Sequence, residues 1–566
     1  AKALEKLEGN KEKNLKAALQ TLQLSVGFIE QLRTGYLYES SKLQLAAKEY
    51  DTYVSIINLA YALYKQTKDS SYAETAFEYA ELSKYAILRD LENEEKAKEI
   101  AGVPKSLQRN EQALKEQIVF LSIQAQNENE LQNPDKEKIK EYQQKIFDVS
   151  KKLDSLNLEL KTNYPVYYKQ KYSHKIISKT QLQEAISPKD AILEYILADS
   201  ALFTFTITKN HFIFTKQKTG SSFYNHLKYY TRVLHSKHSS PYINYRNAAY
   251  SLYKYLVEPS EDFIKNKNLL IIPGNQMGLI SFEALIDKPY KEGDNGDYRK
   301  ESYILNKYPI GYAFSATLYI QSKNDSKNSN PSFLGIAPSY INSKDSLPHL
   351  PLAIKNIKKL SMLTCGKLLS NKKATKDNFK KYAGNYDIIH FYAHGFEDTL
   401  NPANSKISLS PTDTTDDGYL YAWEISNMQL DAQLVILASC YSGSGKLSKG
   451  EGVLNIGRSF AVANSKSTLI ALWSATYEST VFETNSFFMN LLKGKRKDEA
   501  LRLAKLKYLE ETDPINAHPR FWASLIINGN QEALYHNFFL KKIILLFFLV
   551  VVIILFIKRK SIFKFS

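Results

Sequence analysis

In this chain of 566 residues, the stretch that most constrains the fold is Leu434–Gly452, LVILASCYSGSGKLSKGEG. Leu434, Val435, Ile436, Leu437 and Ala438 form a short, continuous apolar run. Its length and branched side chains predict a strand buried on both faces, the kind found in α/β sheets covered by helices. The run stops at Ser439 and Cys440, and Gly443, Gly445, Gly450 and Gly452 follow. A thiol at the carboxyl end of a buried strand sits where open α/β sheets place ligands. Glycines beside it let the backbone come close and turn N–H groups toward a substrate oxygen.

A thiol nucleophile needs a base. About 46 residues upstream of Cys440 lies His394, in Asp387–Gly395, DIIHFYAHG. This segment also reads as a buried strand that ends at a glycine, with His394 the last side chain before Gly395. His390 shares the strand face with His394, four residues away at a period of two, but is not at the end and reads as structural. Cys365, the only other cysteine, has no base near it in sequence and reads as a small buried hydrophobe. Two cysteines imply no disulfide framework.

From about Tyr255 to Gly529 the chain resembles the CHAT domain, a caspase-like cysteine peptidase domain often found behind tetratricopeptide (TPR) helices. Stretches that match the family in order include LLIIPGNQMGLISFEAL (Leu269–Leu285), DIIHFYAHG, DDGYLYAWEI (Asp416–Ile425) and LVILASCYSGSG. GEGVLNIGRSFAVANSKSTLIALW (Gly450–Trp473) and HPRFWASLIINGN (His518–Asn530) continue the series. The resemblance implies that His394 is the general base and Cys440 the nucleophile, with the backbone N–H groups of Gly395 and Cys440 as oxyanion donors. A thiolate would attack a peptide carbonyl, His394 would protonate the leaving amine, and water would resolve the thioester. A backbone carbonyl would suffice to orient His394; Asp387 and Asp398 are nearby alternatives. Glu451 opens a helix, where a carboxylate suits the dipole, or else orders a substrate loop. Trp473 lines the cleft or packs beneath it. The chain departs from the family pattern at two positions: Asn356 stands where a Glu is usual, and Tyr477 where an Asp is usual.

The flanks predict a multidomain chain. Residues 1–100 read as TPR-like helices: Thr52–Thr67 carries Ile56, Leu59, Ala60 and Leu63 on one face, and Tyr72–Leu88 repeats the pattern. Residues 101–163 read as a long helical hairpin, broken at Asn133-Pro134-Asp135. Its second arm steps through Ile139, Tyr142, Ile146, Val149, Leu153, Leu156 and Leu160 at coiled-coil spacing, and Glu111 leaves a polar gap in the first. The α/β part then falls into residues 164–330 and a catalytic half, 331–534, with the polar run Ser322–Pro331 as the linker between them. Residues 535–566 are distinct. Ile543–Ile557, IILLFFLVVVIILFI, is apolar throughout, and a start at Phe538 gives the roughly 20 residues a membrane span needs. Four basic residues follow the span and two stand at its start, which favours a cytoplasmic tail and a catalytic body on the other side. A tail-anchored cytoplasmic body is the alternative. The chain opens on Ala1, so the sequence speaks neither for nor against an export signal.

The net charge of +16 is spread through every region, and no nucleic-acid motif accompanies it, so no nucleic-acid partner is expected. The histidines lack metal-ligand spacing, and neither a metal nor an organic cofactor is expected. The sequence thus predicts TPR-like helices, a helical hairpin, an α/β caspase-like domain and one C-terminal transmembrane helix. The expected function is a membrane-anchored cysteine peptidase that cleaves protein or peptide substrates, with the helices receiving a protein partner. The alternative is a non-catalytic TPR/CHAT scaffold in which the peptidase fold is vestigial.

Overall fold

The computed structural model describes residues 10–36, 39–129, 131–167, 176–236, 241–291, 296–324, 331–340, 347–413, 416–439 and 442–536. Among the described residues the N-terminal part is helical, with α1 (Lys11–Gly35), α2 (Glu39–Thr67), α3 (Ser71–Leu82), α4 (Ala86–Ile100), α5 (Lys105–Asn129) and α6 (Lys136–Asn163). On α2 the apolar face Ile56, Leu59, Ala60 and Leu63 is buried. The stretch Tyr72–Leu88, expected as one helix, is split. It breaks at Ser83-Lys84-Tyr85, where Tyr85 takes a φ of +45°, uncommon for a bulky side chain. The cause is long-range: the Tyr85 N–H donates to the carbonyl of Gly450 at 2.7 Å. In the α5–α6 hairpin, Val149, Leu153, Leu156 and Leu160 are buried. Glu111 is no gap in the packing: it is 1% exposed and paired with Lys98 at 3.2 Å and Lys115 at 2.9 Å.

The strands are β1 (Asp190–Leu197), β2 (Ala201–Thr208), β3 (Phe212–Lys218), β4 (Asn268–Ile272), β5 (Ile310–Tyr312), β6 (Phe333–Ala337), β7 (Lys367–Ser370) and β8 (Ile388–Tyr392). They continue as β9 (Gly395–Phe396), β10 (Lys406–Ser408), β11 (Tyr419–Tyr421), β12 (Leu434–Ala438), β13 (Lys446–Ser448), β14 (Gly452–Leu454), β15 (Ser467–Ala471) and β16 (Leu525–Gly529). Eleven of them form one sheet in the order β3-β2-β1-β4-β5-β16-β15-β12-β8-β6-β7. From β15 to β7 every pairing is parallel. From β1 to β16 the pairings are also parallel, but β16 meets β15 antiparallel, so the two blocks run in opposite directions. Helices α7 (Ser221–His235), α8 (Tyr242–Leu256) and α10 (Ile456–Val462) contribute to the core on one face. Helices α9 (Pro351–Thr364) and α11 (Tyr477–Leu492) contribute to the core on the other, and α12 (Lys497–Glu511) follows α11.

The helices and the sheet share a core. A single helical pair cannot bury its own face, and here β1–β3 cover it. Phe77 of α3 meets Phe205 and Phe212 edge-on with centroids 5.7 Å apart, and Tyr61 of α2 meets Phe214 at 5.2 Å. Each such ring contributes about 1.5–3 kcal/mol through burial alone.

Among the described residues no helix is long and apolar enough to cross a membrane. The expected span, 538–557, lies outside the described residues, as do 325–330 of the expected linker. Cys365 is a correction: it is exposed and ends α9 in the left-handed conformation, with φ +56°. The Gly366 N–H closes the turn on the Ser361 carbonyl at 2.8 Å, and Cys365 stands at that turn facing solvent.

His390 sits in the middle of β8 with no exposure, and neither ring nitrogen has a hydrogen-bond partner. It packs beside Tyr392 and Phe488, and burial pushes its pKa down to about 3. The unfolded chain binds a proton at this position below pH about 6.5, and the native chain does so only near 3. Its contribution is therefore fully favourable above about 6.5 and is lost as pH falls, by up to about 1.4 kcal/mol per unit. Urea denaturation between pH 8 and 5 is expected to show a shallower pH dependence in His390→Leu than in the parent.

Candidate active site

The site is built where β8 and β12 end. These strands pair in parallel with Tyr392 opposite Ala438, so both chains leave the sheet at the same edge. His394 is two residues beyond Tyr392, and Cys440 is two residues beyond Ala438 in sequence. Cys440, the expected nucleophile and oxyanion donor, lies outside the described residues, as does Tyr441.

His394 is held on three sides. Its carbonyl accepts from the Ser408 N–H at 2.8 Å, the first rung of the β9–β10 ladder. The reciprocal rung is filled by a side chain: the Tyr340 hydroxyl accepts the His394 N–H at 3.0 Å and donates to the Ser408 carbonyl at 3.2 Å. The Tyr340 ring lies against the imidazole, with centroids 4.8 Å apart. Burial holds the Tyr340 phenol well above the usual tyrosine range, so it remains a hydroxyl that can do both jobs.

The third hold is on the imidazole itself. Its Nε2 is 2.9 Å from the carbonyl oxygen of Pro348. A carbonyl only accepts, so Nε2 carries a proton and donates it there, and Nδ1 is the ring nitrogen left for proton transfer. A backbone carbonyl thus orients His394, and the two carboxylates considered from sequence are engaged elsewhere. Asp387 binds the Ser332 N–H at 2.9 Å and the Ser332 hydroxyl at 2.8 Å. Asp398 accepts from the Leu400 and Asn401 N–H groups at 3.0 and 2.8 Å, closing a turn.

Pro348 is fixed in turn by helix α9, which begins three residues beyond it. The Tyr477 hydroxyl accepts the Ala353 N–H at 2.6 Å in the first turn of that helix. Tyr477, which stands where the resembled family carries Asp, therefore braces the segment that orients the histidine.

Gly395 faces Ile407 in the β9–β10 pair. The neighbouring position, His394 opposite Ser408, is the hydrogen-bonded one, so the Gly395 N–H points away from β10. The chain after position 441 is anchored as well. The Ser442 hydroxyl accepts the Ala471 N–H at 2.9 Å, and the Gly443 N–H donates to the Ala471 carbonyl at 2.8 Å. Glu397, three residues past His394, accepts the Ser444 hydroxyl and ties the two loops together.

Glu451 and Trp473, considered from sequence as cleft residues, are placed in the interior. Trp473 is 1% exposed, donates to the Arg520 carbonyl at 2.8 Å and packs against His235 with tilted rings, centroids 4.9 Å apart. Glu451 has no exposure. Its carboxylate accepts the Ile87 N–H at 2.9 Å and pairs with Arg458 at 3.1 Å. It does suit a helix dipole, but that of α4, which lies 364 residues away in sequence. Burial raises its pKa against the opposing pull of Arg458 and the Ile87 N–H. Sequence reading missed Tyr340, Pro348 and Ser442. Only Pro348, just before a helix that begins with a second proline at Pro351, carried a local signal.

Among the described residues, no group of three or more His, Cys, Asp or Glu could hold a metal ion. The arrangement offers an imidazole oriented by a backbone carbonyl at a strand-end edge, a paired strand whose end lies two residues before Cys440 in sequence, and an outward N–H next to the imidazole.

Residues 246–530, just over half of the chain, match the CHAT domain, and the chain belongs to that family. Human tetratricopeptide repeat protein 28 is 22% identical over 335 residues, which span 50% of this chain and 13% of that protein. The mouse protein of the same name is 25% identical over 115 residues, 20% of this chain and 5% of that one. The chain thus spans only a small part of the length of these relatives. Among solved structures, the Saccharomyces cerevisiae separase–securin complex matches with a TM-score of 0.41 and 9% identity, covering 92% of this chain and 45% of that one. A second crystal structure of that complex matches at 0.39 and 10%, covering 94% and 48%.

Proposed function

We propose that this chain is a cysteine peptidase that cuts protein or peptide substrates through Cys440 and His394. The observation that carries the reading is His394: clamped at its backbone by Tyr340 and Ser408, with Nε2 committed to Pro348, it keeps Nδ1 as the base. The imidazole takes the thiol proton, and the thiolate forms a thioester with the substrate carbonyl while the carbonyl oxygen turns anionic. Gly395 supplies one N–H to that oxygen, and the backbone of Cys440 supplies the other. His394 returns the proton to the leaving amine, and water then releases the acid.

The reading extends to the whole chain. TPR-like helices receive a protein partner, and the apolar run 538–557 anchors the chain in a membrane as a single span. The charge flanking that run favours the catalytic body on the non-cytoplasmic side. Incubation of the protein with a diverse peptide library, read by mass spectrometry beside Cys440→Ala, tests the activity. Cleavage by the parent alone supports the peptidase. Absence of cleavage, together with failure of Cys440 to react with thiol-directed peptide electrophiles, supports the scaffold.

Tyr340→Phe keeps the ring and removes the bridge between His394 and Ser408. A lost hydrogen bond of this kind costs about 1–1.5 kcal/mol. Steady-state kinetics on a cleaved peptide are expected to show kcat lowered about tenfold with KM nearly unchanged.

A further inference from the structure

Beside the apolar core that the helices share with the sheet, their contact with the hairpin next to the site is polar and buried. The hairpin β13–β14 follows directly from the Ser442–Gly445 loop, and its tip, Gly450–Gly452, reaches the break between α3 and α4. There the Gly450 carbonyl takes the Tyr85 N–H, and the Glu451 carboxylate takes the Ile87 N–H, so the tip satisfies two donors at the start of α4. The fit is close. Gly450 and Gly452 have φ of +79° and +65°, and a Cβ on Gly452 would fall 2.0 Å from the Tyr85 hydroxyl.

From this tip two chains of contacts run in opposite directions. Toward the site, Glu451 pairs with Arg458, whose N–H caps onto Asn455 at 2.8 Å. The Asn455 amide in turn donates to the Gly443 carbonyl at 2.8 Å, three residues past Cys440. Toward the helices, the next turn of α4 carries Arg89 and Asp90. Asp90 binds Arg33 of α1 at 3.0 Å, Arg33 also binds Glu30 at 2.5 Å, and Arg89 reaches Glu30 at 3.4 Å. Tyr53 of α2 closes the network on Glu30 at 2.6 Å. Arg33 and Arg89 are 2% and 1% exposed. A joint needing only stability would do as well with apolar side chains, because desolvation consumes most of what buried ion pairs return. Connected buried networks of this kind, together with rigid elements, are what carries coupling between distant sites.

We infer that the Ser83–Ile87 break and the Gly450–Gly452 tip form a coupling joint, through which the arrangement of helices α1–α4 sets the geometry of the loop that follows Cys440. This deepens the peptidase reading and rests on Cys440 as its nucleophile. The readout is thiol reactivity, which needs no substrate. The full chain in mild detergent is alkylated with iodoacetamide, and the two cysteines are followed separately by peptide mapping, with exposed Cys365 as the internal reference. Arg33→Gln acts from α1, away from the hairpin, and Tyr85→Gly removes the ring that meets the tip while suiting the positive φ. Both are expected to change the Cys440 rate at least about fivefold and in the same direction, with the Cys365 rate unchanged. A Cys440 rate within twofold of the parent in both variants would overturn the joint. A second measurement needs no variant: hydrogen exchange of the parent in low urea. Coupling requires segments 83–90 and 442–454 to lose protection with the same urea dependence, and independent opening would overturn it. The dyad fails separately: a Cys440 rate indifferent to His394→Ala sinks the peptidase reading and leaves the joint measurable.

Discussion

His394→Ala is expected to lower peptide cleavage by about three to four orders of magnitude while leaving the protein folded. The imidazole has two tasks, and they weigh differently. As base it raises the thiolate fraction, which for an unassisted thiol with a pKa near 8.5 is a few per cent at neutral pH. Restoring that fraction accounts for about 10–30-fold. As acid it protonates the leaving amine, without which an amide scarcely breaks. Substrates with a good leaving group, such as activated esters, do not need that proton. The same variant is therefore expected to lose only about 10–100-fold on an activated ester. Parallel kinetics on a matched amide and ester check the split, and equal losses on both would remove the acid role from His394. Its side chain is partly exposed and its backbone bonds survive the substitution, so the circular dichroism spectrum and melting temperature should be nearly unchanged.

The second large effect is on stability. Glu81, at the end of α3, is 1% exposed and accepts the N–H groups of Ala316 and Thr317 at 2.9 and 2.7 Å. These open the helix Ala316–Asn324, and the Ser315 hydroxyl takes the next donor, Leu318, at 3.2 Å. A carboxylate from the helical domain thus caps a helix of the α/β domain, as Glu451 of the α/β domain caps α4. Glu81→Ala would leave two buried donors without partners, at about 1–3 kcal/mol each, against the charge-assisted bonds they now make. The expected loss is about 3–5 kcal/mol. Glu81→Gln keeps one acceptor oxygen and is expected to lose roughly half as much. Glu141→Ala, whose partner Lys145 is 53% exposed in a pair within α6, should leave stability essentially unchanged. Urea titration of the three variants side by side tests the order.

The strands carrying the site were legible because their signal is local. Leu434–Ala438 and Ile388–Tyr392 are short apolar runs whose length and branching define buried strands, and each is followed by its reactive residue and a glycine. The pairing of those strands was not written in either run, but two strand ends with complementary chemistry implied it. What sequence did not disclose depends on partners far along the chain. Tyr72–Leu88 has an uninterrupted helical pattern; it breaks at Tyr85 because Gly450 and Glu451 take over the backbone donors there. Glu451 reads locally as the start of a helix, yet the helix it caps belongs to another part of the chain. Pro348 acts through its carbonyl, an atom every residue has, so its residue type marked the approach to a helix and not its hold on His394. Tyr477 looks in sequence like the loss of a carboxylate, whereas its hydroxyl holds α9 and so the segment bearing Pro348. Cys365 reads as buried because cysteine usually is, and the left-handed helix stop that exposes it leaves no trace in composition.

The most direct test of the central claim is intact-mass analysis of the protein after reaction with a peptide bearing a thiol-directed electrophile, beside Cys440→Ala and His394→Ala. The account predicts one adduct, mapped to Cys440, absent in Cys440→Ala and formed at least about tenfold more slowly in His394→Ala. An adduct confined to Cys365, or labelling of Cys440 at the same rate with and without His394, would contradict it.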